Sequence, residues 1–341
     1  MHDIEIASRI ESISGNGAKY SVTDERILKD SHGENKYVCY KLSPYGYAIY
    51  NIETDSFEEI SPYSTSLPYL FDENMVCYYW GPNNYYYLVN NHYVHTQTGQ
   101  VITEETVVSL VENEVQKEMY EHQIAYQTDD VATCAIDGPI VIPDTSYYTH
   151  YITNKRYFTT LLGNDFGYNQ NDTCLMVATA ILLGYYDVYV NDSFVADLFR
   201  SGNGTTESFH QYFIDNTGNA HGCGMQDGMI AINNYLARRP STGYTAYSVI
   251  GDHSLVYVKV ASQIKAGFPV MTGMFHSYND NCPLDHYNIT YGYTIEDNNM
   301  SGRIAGIYYH VHQGWKYSSE NLQTINYAWF ADAIYLSNTG G

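Results

Sequence analysis

Basic residues are scarce in this chain of 341 residues: 16 lysines and arginines stand against 38 aspartates and glutamates, a formal charge of -22. That balance argues against nucleic acid or an anionic membrane surface as a partner. Long apolar runs are missing too. The longest, around Leu175–Leu183, is too short to span a bilayer, and no apolar h-region stands near the start. Met1-His2 followed at once by polar sequence fits either a cytosolic start or a chain separated from its signal peptide. Cysteine is sparse and unpatterned. Cys39, Cys77, Cys134, Cys174, Cys223 and Cys282 form no CxxC pair and no dense framework, so no obligatory disulfide scaffold is expected. Repeats and low-complexity tracts are absent, and nothing implies a cofactor.

Tyrosine is what the chain has in excess. Its 38 tyrosines are spread along the whole length, which suits many half-buried strands or a wet, aromatic, ligand-contacting surface. The length admits two domains with cores of their own. Within residues 36–103, short alternating or tyrosine-rich runs at Lys36–Leu42, Gly46–Ile52, Phe57–Ile60, Met75–Trp80, Tyr85–Val89 and Tyr93–Thr96 read as strands between turn signals such as Ser43-Pro44-Tyr45-Gly46. Thr103 then caps a predicted helix with Val107, Val111, Val115 and Met119 as its apolar stripe. The pattern breaks over 126–148, which reads as a linker.

The second half opens with helices and closes with strands. Cys174–Tyr186 is apolar nearly all round, which implies a central buried helix. Gly224–Arg238 and Leu255–Ala266 follow, the last with Ser254 as cap and Gly267 as stop. Pro269–Phe275 starts a sheet. Helices followed by an antiparallel sheet give an α+β fold, with a site between the two layers.

Two residues carry a chemistry. Asn169-Gln170-Asn171-Asp172-Thr173 feeds directly into the helix that Cys174 opens, and at a helix N-terminus the unpaired N–H groups and the dipole favour thiolate, the form that attacks carbonyl carbon. Asp172 would raise the thiol pKa unless it caps the helix. Farther on, residues 286–294 alternate, with His286, Asn288, Thr290 and Gly292 on one face. A second alternating run, Ile304–His312, follows a turn-like segment, so the two predict an antiparallel hairpin. A turn centred on Asn299 pairs 294 with 304 and sets His312 across from His286; a slip of one residue brings Gln313 or Val311 there instead.

These residues resemble the papain-like cysteine peptidases, most closely the streptopain-like branch of secreted bacterial enzymes. The likeness rests on the Asn-Gln-Asn-Asp-Thr-Cys entry to the helix, Gly267–Gly273, Asp285-His286-Tyr287 with Tyr291-Gly292-Tyr293, and His310-Val311-His312-Gln313-Gly314-Trp315, together spanning about half the chain. It implies a papain-like catalytic domain over 146–341, preceded by a β-rich prodomain with a helix over 1–145. It further implies a secreted or cell-surface zymogen that hydrolyses peptide bonds in peptide or protein substrates, with its own prodomain as intramolecular inhibitor. Cys174 is then the nucleophile, His286 the proton carrier, and Gln170, or else Asn169 or Asn171, the oxyanion donor. Where the family pattern has asparagine followed by tryptophan, this chain has His312 and Gln313, either of which can hold the His286 tautomer.

Two other readings stand beside this one. His310 and His312, with His286 and Asp285, carry donor types that suit zinc. The departure at the orienting position also suits a papain-like fold that has lost activity and binds peptide or glycan through its tyrosine-rich surface.

Overall fold

The structure is a computed structural model that describes residues 2–71, 75–127, 145–161, 173–201, 204–218, 223–274, 286–298, 303–314 and 322–338. The first element is one that the opening residues did not announce. Helix α1 (His2–Ser14) carries Ile6, Ile10 and Ile13 on one face, and these are buried against Val38, Tyr40, Ala48, Phe57 and Ile60. Strands β1 (Ser21–Lys29), β2 (Asn35–Ser43), β3 (Tyr47–Asn51) and β4 (Ser56–Ser61) form an antiparallel meander. A second run, β5 (Cys77–Tyr79), β6 (Tyr85–Val89) and β7 (His92–His95), joins β1 through a parallel pairing of Lys29 with Tyr78. The six runs read from alternation coincide with β2 to β7 within a few residues.

Helix α2 (Glu104–Gln127) begins where Thr103 caps it, its Oγ1 accepting from the Thr106 N–H at 3.2 Å. The valine stripe faces inward only in part, however: Val107 packs against the cluster of Tyr78, Trp80, Tyr86 and Leu110. Val115 and Met119 are 42% and 56% exposed, whereas Leu110, Glu114 and Lys117 are buried. Electrostatic pairing decides the matter, because Glu114 accepts from Tyr37 Oη (2.7 Å) and Lys117 reaches Glu58 (2.6 Å) in the sheet below.

The second half comprises β8 (Thr145–Tyr151), α3 (Arg156–Thr160), α4 (Cys174–Tyr189), β9 (Arg200–Ser201), β10 (Gly204–Thr205), α5 (Glu207–Asn216), α6 (Met225–Leu236), β11 (Tyr244–Ile250), α7 (His253–Lys265), β12 (Val270–Met274), β13 (Tyr287–Asn298), β14 (Arg303–His312), β15 (Leu322–Asn326) and β16 (Phe330–Asn338). The fold is α+β, with seven helices among the described residues. One mixed, mostly antiparallel sheet of 14 strands runs in the order β11-β16-β12-β13-β14-β15-β4-β3-β2-β1-β5-β6-β7, and β8 pairs with β13. Strand β15 joins the two halves by pairing Thr324 with Ile60 and Ile325 with Glu59 of β4. Their cores merge accordingly: Tyr37, Tyr47 and Ile49 belong to the same buried cluster as Leu175, Met176 and Tyr186.

Three local expectations are corrected. The cap of α7 is Asp252, whose carboxylate accepts from the Leu255 N–H, rather than Ser254; Gly267, at φ +90°, does stop that helix. Residues 126 and 127 end α2 and 145–148 belong to β8, so the broken stretch is narrower than 126–148, and its residues 128–144 lie outside the described residues. The hairpin register also differs. Ile289, not His286, pairs with His312, because the ladder starts with Asn298 opposite Arg303 and is therefore centred beyond Asn299; the irregularities between Glu296 and Asp297 and between Thr290 and Gly292 offset each other.

Candidate active site

Cys174 is the first residue of α4, and Thr173 at the N-cap accepts from the N–H groups of Met176 and Val177 through its carbonyl. The helix is buried from Cys174 through Tyr186 and lies on β12 and β13. That all-round apolar sequence is what forces the helix into the centre, and its N-terminal turn is carried there with it.

His286 stands immediately before β13, and its carbonyl accepts from the Met274 N–H at the end of β12 (3.0 Å). Its Nε2 donates to the backbone carbonyl of Gln313 at 2.9 Å. A carbonyl can only accept, so this bond keeps the proton on Nε2 in the neutral ring and makes Nδ1 the basic nitrogen. Burial pushes the imidazole down to about 4, against the Gln313 carbonyl and the Gln313 side chain, which both favour the charged ring.

Gly314 links this histidine to the cysteine. It adopts φ +74°, and a Cβ there would come within 2.9 Å of Val177 Cγ1. The end of β14 therefore rests on the first turn of α4, beside Cys174, while the preceding residue holds His286. On the other flank Met225 of α6 lies against Gly273, whose partner across the ladder is Tyr287. Cys223, just ahead of α6, is raised to about 12 by burial, by Asp227 and by the charge Cys174 would carry. Cys223 thus lies near Cys174, and Gln313, which holds His286, precedes the glycine seated on Val177 in the first turn of α4. Both expected reactive groups are covered in this form, with Cys174 6% and His286 4% exposed.

The other sequence-derived candidates fare differently. Gln170, Asn169, Asn171, Asp172 and Asp285 lie outside the described residues. His312 is fully buried, accepts from the Gly314 N–H at Nδ1 (3.3 Å), faces the Phe158 ring and is pushed down to about 3 by burial. Its displacement from His286 follows from the register, and Gln313 supplies the Nε2 acceptor. His310 spends both ring nitrogens on hydroxyls, Nε2 with Thr294 (2.8 Å) and Nδ1 with Thr324 (3.0 Å). Among the described residues no group of three or more His, Cys, Asp or Glu side chains is placed to hold a metal ion, and no helix there is long and apolar enough to cross a membrane.

Alongside this row, Thr272 Oγ1 donates to Asn288 Oδ1 (2.6 Å) and meets Thr290 Oγ1 (2.7 Å), so the face that His286 leads is polar and buried. Gln323 escaped the sequence reading. It accepts from Gln313 Nε2 at 2.5 Å, and only the adjacency of β14 and β15 reveals it. No family model matches the chain, and no curated protein matches it significantly.

Proposed function

We propose that the chain is a cysteine peptidase held in a closed, precursor form. Cys174 attacks the scissile carbonyl after losing its proton to His286 Nδ1; the tetrahedral intermediate collapses to an acyl-enzyme as His286 gives that proton to the leaving amine, and water repeats the sequence to release the acid. Gln313 takes the orienting role, and the α4 N-terminus with Gln170 serves the oxyanion. The single observation that carries this reading is the His286 Nε2 bond to the Gln313 carbonyl, at a strand end seated on the helix turn that Cys174 begins. The order cysteine, histidine, orienting residue is that of the papain-like enzymes the sequence resembles, which also motivates a secreted zymogen with residues 1–145 as inhibitor.

The burial of Cys174 and His286 fits a precursor whose cleft is closed, and it favours one rival, an inactive papain-like protein that binds peptide or glycan. A thiol-directed epoxide at pH 6 separates them. Modification of Cys174 in the purified chain, together with time-dependent cleavage in 126–148 that Cys174→Ala lacks, supports the peptidase. An unmodified Cys174 and an unchanged mass in both proteins support the rival. A zinc hydrolase reading finds His310 already committed to two threonine hydroxyls, and insensitivity of hydrolysis to a chelator removes it.

A further inference from the structure

We propose that the N-terminal half supplies positioning residues to this site, through a one-way chain of hydrogen bonds that ends on Tyr47 and Glu59. The inference rests on the peptidase reading and goes beyond it, because it makes residues outside the catalytic half part of the working enzyme.

The chain starts at the group that orients His286. Gln313 Nε2 donates to Gln323 Oε1 (2.5 Å), and Gln323 Nε2 donates to Tyr47 Oη (3.3 Å). Tyr47 and Tyr85 hydroxyls are 2.9 Å apart, and Tyr85 donates to Glu59 Oε1 at 2.5 Å. An amide N–H cannot accept, so Tyr47 receives from Gln323, and its own proton goes on to Tyr85 or directly to Glu59, the carboxyl that Tyr85 also reaches. Every donor therefore points away from the active site. All five side chains are buried, where such chains are rigid and a reversed member is costly.

The polarity has a consequence at Gln313. With its Nε2 committed to Gln323, the buried Gln313 side chain has only its Oε1 left to offer, and that side chain favours the charged His286 ring. A buried acceptor of this kind beside His286 stabilises the imidazolium when it forms and fixes the ring plane. Tyr47 and Gln323 act through Gln313 and touch neither reacting atom. The shared sheet holds the relay in register, since Glu59 of β4 pairs with Ile325 of β15, two residues from Gln323.

The test uses the full chain with Tyr47→Phe, Gln323→Leu and, as a control, Tyr37→Phe, which removes another buried tyrosine–carboxylate bond of the N-terminal half outside the relay. The second-order rate of Cys174 alkylation by iodoacetamide is measured against pH, and the His286 tautomer is read from imidazole nitrogen shifts. Tyr47→Phe and Gln323→Leu are expected to slow alkylation about three- to tenfold at pH 6 and to shift its midpoint, with Tyr37→Phe at the wild-type profile. Tyr47→Phe keeps the ring and carries the test if Gln323→Leu does not fold. Wild-type profiles and tautomer in both relay variants overturn the proposal. A wild-type Cys174 no faster than an ordinary thiol overturns the peptidase reading instead, and this one with it.

Discussion

Lys117 and Glu58 face each other at 2.6 Å with neither side chain reaching solvent, at 1% and 0% exposure. The second oxygen of Glu58 accepts from Trp329 Nε1 (2.8 Å), so one carboxylate ties α2 and β4 to the far end of the chain. Removing one partner of a buried pair leaves an uncompensated charge. Lys117→Met should therefore destabilise by about 3–5 kcal/mol, and Lys117→Met/Glu58→Gln by clearly less. Urea unfolding of the three proteins checks this; equal losses in the single and double variants would show that the charge is not the cause.

Glu59 sets a pH dependence of opposite kind to most carboxylates. Burial raises it to about 8, against the hydrogen bonds from Tyr85 and Tyr47 and with the help of the Glu58 charge. The native state thus holds this proton where the unfolded state, near 4.5, releases it. Stability contributed by the protonated form is full below the unfolded value and is lost as pH rises from 4.5 through 8. Glu59→Gln should flatten that decline, raising the melting temperature at pH 8 relative to the parent while changing it little at pH 5. A parent and variant that track each other from pH 5 to 8 would contradict the assignment.

Histidines act in the other direction. Burial pushes His210, His253 and His286 down to about 4, and His310 and His312 to about 3. Their unfolded values lie near 6.5, so the unfolded state binds more protons below that pH, and stability is lost as pH falls from 6.5 toward 4. At pH 5 unfolding should take up roughly four protons, nearly one per histidine less the one Glu59 gives up. Calorimetry in buffers of different ionisation enthalpy measures the number directly, and a value near zero would mean that these rings are charged in the fold.

Local pattern was legible and long-range pairing was not. Strands β2 to β7 and the β13–β14 hairpin announce themselves because alternation is a property of neighbours in sequence. Cys174 and His286 stand out as candidates for the same reason, one at the start of an apolar helix and one at the start of an alternating strand. The inward face of α2 holds at Val107 but not at Val115 and Met119, since valine spacing carries no knowledge of Glu58 and Tyr37, the partners that draw Lys117 and Glu114 inward. Likewise, alternation on either side of a turn does not fix where the turn is centred, and the pairing of Asn298 with Arg303 is what sets Ile289 rather than His286 across from His312. Gln323 and Tyr47 enter the site only once β4 is known to lie beside β15.

Gly314 is the hinge of the proposed site. Ala in its place meets both a φ of +74° and a contact of 2.9 Å with Val177 Cγ1. Gly314→Ala should cost about 1–3 kcal/mol and slow Cys174 alkylation by displacing the Gln313 carbonyl. Val177→Ala added to it opens the space without relieving the backbone, so rescue should be partial. Full rescue would assign the whole effect to the methyl contact.

The continuous sheet bears on what a cut between the halves would do. Besides the β4–β15 pairing, Arg9 of α1 grips Glu296 of β13 through Nε (3.0 Å) and Nη2 (3.3 Å), and Tyr147 and Tyr308 donate to the same carboxylate. The Ile13 carbonyl accepts from Thr294 and the Ser14 carbonyl from Tyr151. Buried and part-buried bonds of this number are not undone by severing one connection, because the loss of one covalent link changes only the effective concentration of the partner surface. A protease site introduced within 128–144 and cleaved to completion should give two masses under denaturing conditions and a single peak of the full mass in native size exclusion. Separation should require urea, and Arg9→Ala should lower the concentration needed. An N-terminal piece that elutes alone in native buffer would show that the shared sheet does not hold the halves, and would restore the simple picture of a released propeptide.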